Sequence, residues 1–146
     1  MAALYALFAF VAGCVLPVQA GVNARLAEWV GGPVRAALVS FVVGLLALFA
    51  LVLLFYRTRS TGSLGEAPWW LWMGGLLGAV YVVAAAVTAP RLGAATLVVL
   101  VVAGQAVMGL VVDHFGWVGF PEEPVSAGRI AGVVLLGVGV GLVRFT

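Results

Sequence analysis

Apolar residues run along this chain in long unbroken stretches, separated by short polar, glycine or proline interruptions. A bilayer hydrocarbon core about 30 Å thick needs roughly 20 helical residues to cross it. Five stretches reach that length, at about residues 3–21, 34–56, 68–88, 92–112 and 127–143. Each is apolar on every side, whereas a barrel strand alternates with period two, so all five are expected to be helices. The pattern predicts an all-α, polytopic membrane protein with one five-helix transmembrane domain over residues 1–146.

The interruptions carry appropriate punctuation. Gly31-Gly32-Pro33 precedes the second stretch, and proline suits a first helical turn. Arg57 to Glu66 has the Ser/Thr/Gly character of a loop. Pro90 and Arg91 part the third and fourth stretches closely enough to predict an antiparallel hairpin. Asp113 to Ser126 is the longest connection, and Pro121-Glu-Glu-Pro124 should keep it non-helical. Trp29, Tyr56, Trp69, Trp70, Trp72 and Trp117 fall at the boundaries, where amphipathic rings form an interfacial belt. Val18-Gln19-Ala20 has the small-residue pattern of a signal-peptide cleavage site, but no Lys or Arg precedes Arg25, so the first stretch is expected to be retained as a span.

Composition narrows the class further. Hydrophobic residues make up 65% of the chain and charged residues 8%. So few charges cannot wet the surface of a soluble enzyme, and disordered chains are poor in apolar residues. Nucleic acid is not an expected partner: the net charge is +2, lysine is missing, and the seven arginines gather no further than Arg57 and Arg59. The single Cys14 precludes a disulfide within one chain and a cysteine-based zinc cluster. No metal constellation, nucleophile triad, phosphate loop or dinucleotide fingerprint is present, so neither catalysis nor a cofactor is expected.

Five spans put the termini on opposite sides of the membrane. The side holding the N-terminus then receives Arg57, Arg59 and Arg129, and the other receives Arg25, Arg35, Arg91 and Arg144. Orientation follows a bias in Lys and Arg, and this bias is a single charge. The expected outcome is insertion both ways up, with one orientation fixed by the insertion machinery or by lipids as the alternative. An odd number of spans forbids an internal inverted repeat of two equal halves, so a second, inverted copy would supply the symmetry common in transporters. The partners expected are thus a second copy of the chain, membrane lipids and a small neutral or amphipathic substrate. Gly74/Gly78, Gly128/Gly132 and Gly137/Gly141 are spaced for close helix packing, and the glycine-rich last span is the first candidate for a helix–helix or subunit interface.

Few polar residues lie within the spans. Gln19 and Asn23 are four apart and share a helix face, and Pro17 lies just before them. Ser40, Tyr81, Thr88 and Gln105 are the others. Each costs free energy in lipid unless it finds a partner or a water-filled cavity. Gln19, Asn23 and Gln105 fit either interhelical glue or the polar lining of a central cavity, with Ser40 and Tyr81 on its wall. Ser40 and Thr88 have a local alternative, a bond to the preceding-turn carbonyl. Arg25 and Glu28 are spaced to pair, and Arg35 and Arg91 suit interfacial anchors. Asp113 and His114 are neighbours in sequence, an arrangement that points their side chains apart and disfavours a proton relay. No carboxylate lies near the middle of a span, so nothing central would balance a cation.

The segment Gln19-Ala-Gly-Val-Asn23-Ala-Arg25-Leu, then Ala36-Ala-Leu-Val-Ser40-Phe-Val-Val-Gly44, resembles a known bacterial family. So do Trp70-Leu-Trp-Met-Gly-Gly-Leu-Leu-Gly78, Pro90-Arg-Leu-Gly-Ala94, Gly104-Gln105 and Asp113-His-Phe-Gly116. The family is the small YdcZ-like group of the drug/metabolite transporter superfamily, and the resemblance covers nearly the whole chain in the order of all five spans. It implies an inner-membrane, five-helix half-transporter, of a kind that works as antiparallel pairs or as fused ten-helix chains. It supplies no substrate. The small multidrug exporters of that superfamily carry a glutamate within their first helix, and this sequence has none there. The function expected is therefore secondary transport of small molecules by alternating access. A passive channel or facilitator, or a non-transporting assembly subunit, are the alternatives.

Overall fold

A computed structural model describes residues 1–55, 65 and 67–145. Tyr56, Arg57, Arg59 and most of the loop expected up to Glu66 lie outside the described residues. The described chain is all-helical. It comprises α1 (Ala2–Val30), α2 (Pro33–Phe55), a 3-10 turn at Trp69–Trp72, α3 (Met73–Leu92), α4 (Ala94–Phe115), a second 3-10 turn at Trp117–Gly119 and α5 (Ala127–Phe145). Among the described residues, five helices are long and apolar enough to cross a membrane.

The helix ends differ in places from the expected spans, each for a local reason. The first stretch was expected to end near residue 21, but α1 continues through Asn23, Arg25 and Glu28 to Val30 because no breaker intervenes before Gly31. At 29 residues it is about 43 Å long, more than a hydrocarbon core requires. Arg25 and Glu28 form their exposed ion pair at 3.4 Å, in the part of α1 beyond the expected span. Pro33 opens α2 as its first residue. The turn before it is made by Gly31 and Gly32, at φ +79° and +141°, and Gly32 N–H reaches back to the Ala27 carbonyl at 2.8 Å.

Proline at position 90 does not end the third helix. α3 runs through it to Leu92, with Arg91 in the last turn where a cation complements the helix dipole. The break falls instead at Gly93, the one residue between α3 and α4, whose φ of +77° is a conformation that side chains disfavour. Pro68 is extended and leads into the Trp69–Trp72 turn, so regular α-helix begins only at Met73.

Packing divides the chain into two compact units, one of Val18–Arg91 and one of Met1–Pro17 with Leu92–Thr146. In the first, the buried side chains are small: Ala20, Ala36, Ala37, Ala85 and Ala86, with Val82 and the polar Asn23. The ring of Phe41 on α2 lies over Gly78 on α3, 3.5 Å from where a Cβ would stand. Glycine at 78 therefore lets an aromatic ring approach the α3 backbone. In the second unit, α5 packs along α4. Large apolar side chains of all five helices face outward, as a lipid-facing surface requires.

Candidate functional site

The polar centre of the Val18–Arg91 unit begins with Asn23. It is 2% exposed, among small residues that leave room for its amide. Ser40 Oγ–H donates to its Oδ1, joining α1 to α2. The local alternative for a hydroxyl in a helix is the preceding-turn carbonyl. Thr88 takes that alternative and donates to the Ala84 carbonyl at 2.7 Å. Ser40 does not, because α1 presents an amide oxygen that no helix bond already uses.

Beside this pair lies a cavity of about 320 Å³. Gln19 and Ser40 are its polar lining, and Phe41, Gly44 and Val82 form much of its apolar wall. Gln19 lies one turn before Asn23 on the same face of α1, and Gly44 one turn after Ser40 on α2. Two i, i+4 pairs therefore supply a buried polar bond and, a turn away, an open cavity. Phe41 and Gly44, apolar among apolar neighbours, carry by themselves no mark of a lining role in the sequence. The spacing Ser40–Gly44 was the signal that could have found Gly44. A Cβ at 44 would meet nothing within 4 Å, so this glycine opens space and is not required by packing against a neighbour.

The remaining candidates are placed differently. Tyr81 is half-buried on α3, adjacent in sequence to the lining residue Val82 but not itself in the lining. Gln105 is exposed on α4, in the other unit. It is not among the residues that line the apolar groove of about 380 Å³ between α4 and α5. The side chains of Gln19 and Gln105 hydrogen-bond no described residue.

A second polar cluster fastens the connection between α4 and α5. Arg129 lies 3.3 Å from Asp113 and 3.9 Å from the Glu123 carboxylate, and it donates to the Glu123 carbonyl at 3.1 Å. Glu123 N–H donates to the Asp113 carbonyl at 2.7 Å, and Val125 N–H to His114 Nδ1 at 3.3 Å. Ser126 Oγ accepts from Arg129 N–H and caps α5. Asp113 and His114 thus hold separate parts of one loop, as their divergent directions from neighbouring positions require. Each contact named joins two of α4, α5 and the connection between them, so the cluster serves the fold. In the sequence Arg129 is legible only as a charge, since its partners come from another helix and a loop.

Five helices long and apolar enough to cross a membrane, with few polar groups gathered beside a small cavity, define a multi-pass membrane protein. The chain belongs to the YdcZ family: it matches the family described as "Putative inner membrane exporter, YdcZ" over residues 4–142. It is 34% identical over 140 residues to the inner membrane protein YdcZ of Escherichia coli (strain K12), a match covering 93% of this chain and 91% of that protein. No solved structure matches the chain. Membership and the five apolar helices together make it a multi-pass protein of the inner membrane.

Proposed function

We propose that this chain is a secondary transporter that carries small neutral or amphipathic molecules across the inner membrane by alternating access, as an antiparallel homodimer. The observation that carries the reading is the cavity lined by Gln19 and Ser40 beside the buried Asn23. Small-molecule sites occupy roughly 300–1,000 Å³ and combine apolar walls with a few polar groups, and this one lies at the small end of that range. The family's description as an exporter supports transport. A near-even arginine count on the two sides supports dual insertion, and a second inverted copy would complete the two-fold arrangement on which rocking of opposed halves depends.

The substrate-binding residues in this reading are Gln19, Asn23, Ser40, Tyr81 and Gln105, within one five-helix transmembrane domain. Gln19 and Ser40 make direct contacts, and Asn23 holds Ser40. Tyr81 and Gln105 enter on their polar character within apolar helices. No residue acts as a catalyst. The experiment is uptake of candidate neutral solutes by proteoliposomes holding the purified chain alone. Saturable flux that drives accumulation against a gradient is the expected result. Non-saturating, strictly downhill flux replaces this reading with a facilitator, which the lack of a mid-span carboxylate favours. No flux with any solute replaces it with an assembly subunit.

A further inference from the structure

The bond between Ser40 and Asn23 fixes the polarity of the cavity wall. A serine hydroxyl has one proton and two lone pairs. Ser40 spends its proton on Asn23 Oδ1, so toward any other group its Oγ offers lone pairs alone. Ser40 also lines the cavity, with the ring of Phe41 next to it in sequence and Gly44 one turn along. Gln19, the other polar lining group, is an amide that both donates and accepts. The half-buried part of the polar wall is therefore an acceptor, and the adaptable part is the exposed Gln19. No formal charge lines the cavity.

We propose that this cavity selects neutral, flat or compact amphipathic molecules bearing an O–H or N–H group, and that this group donates to Ser40 Oγ while the apolar body lies against Phe41. The proposal rests on the reading of the cavity as the transport site and adds its ligand polarity. A ligand that only accepts hydrogen bonds, such as an ether or tertiary amide, would leave Ser40 Oγ desolvated and unmatched. A site built to bond one polar group rejects the analogue lacking it for this reason.

The test uses a matched pair of probes, 1-naphthol as donor and 1-methoxynaphthalene as its acceptor-only counterpart. Each is measured by equilibrium dialysis against the full chain in detergent, with protein-free micelles as reference. In the native chain both bind, and their affinity ratio favours 1-naphthol. Ser40→Ala should lower that ratio about fivefold, the worth of one ordinary hydrogen bond, and Ser40→Thr should retain it. Gly44→Leu, directed into open space, should weaken both probes by the same factor. A ratio unchanged in Ser40→Ala while Gly44→Leu weakens both probes overturns donor selection and leaves the cavity reading standing. Binding of neither probe, or binding untouched by Gly44→Leu, overturns the cavity reading and the proposal with it. Should Ser40→Ala lose its helical circular dichroism, Ser40→Cys, whose sulfur is a poor acceptor, reads the same ratio.

Discussion

Gln105 and Asn23 show how differently two amides can sit in an apolar helix. Asn23 is buried and bonded across helices, so its removal should be felt as stability. Interhelical polar bonds in lipid average about 0.6 kcal/mol and reach about 1.7 kcal/mol. Asn23→Leu should therefore lower the thermal stability of the purified protein by about 1 kcal/mol, seen as an earlier transition in a circular-dichroism melt. An unchanged melt would show that the Ser40 bond contributes nothing to the fold. Gln105 is exposed on α4 and its side chain bonds no described residue, so Gln105→Leu should leave the melt unchanged. If Gln105 contacts substrate, the same variant should lower flux about tenfold, the effect of losing a ligand hydrogen bond and leaving its partner unpaired. Normal flux through Gln105→Leu would remove this residue from the site. The pairing of Gln19 with Asn23 on one face was legible in the sequence because helical spacing alone decides it. The choice of Ser40 between its own helix and Asn23 was not legible, because it depends on how closely α1 approaches α2, which small residues permit but do not specify.

At the scale of elements, hydrophobic length decided the existence of each helix and local backbone chemistry decided its ends. Apolar runs of membrane-spanning length leave the chain no satisfactory alternative to helix, which is why all five were visible in the sequence. Pro90 misled as a boundary because a proline in the last turn forfeits only one backbone bond, whereas Gly93, with its positive φ, is where the helix breaks. Gly93→Ala should accordingly destabilise the protein by about 1–3 kcal/mol, the cost of a side chain at φ +77° and ψ 160°, a region essentially reserved for glycine, although its Cβ would meet nothing within 4 Å. A neutral effect in a denaturation series would mean that the connection relaxes to another conformation. The α4–α5 connection makes a different demand. Pro121 and Pro124 excluded helix, as read from the sequence, but its anchoring through Arg129 joins residues from two helices and a loop. Arg129→Ala should free residues 120–125 without unfolding α5, whose Ser126 cap is retained. Limited proteolysis of the variant in detergent should then cut this connection faster than in the native chain, with the helical signal unchanged. Equal cutting rates would show that the bonds from Val125 N–H to the His114 ring and from Glu123 N–H to the Asp113 carbonyl suffice to hold the loop.

At the scale of the whole molecule, membership of an inner-membrane family and five apolar helices leave orientation as the decisive quantity. Were all five helices to cross the membrane, the span order would put Arg25, Arg35, Arg91 and Arg144 on one side and Arg57, Arg59 and Arg129 on the other. The positive-inside bias is then one charge, and the N-terminal amine, on the side with three, nearly offsets it. A difference that small gives the insertion machinery little to choose by, so both orientations should be populated. Two arginines added at the C-terminus change the count on the four-arginine side to six against three and should drive that side to the cytoplasm. Two added at the N-terminus give five against four, a smaller bias, so Arg144→Ala is combined with that addition to reach five against three. Cysteine accessibility at engineered terminal sites, measured with a membrane-impermeant maleimide in a Cys14→Ala background, reads orientation directly. The native chain should label partly from each side, and each biased variant from one side only. If function requires an antiparallel pair, either biased variant alone should lose flux and the two expressed together should recover it. A strictly one-way variant that transports by itself would overturn the antiparallel arrangement, whatever the native chain's labelling shows.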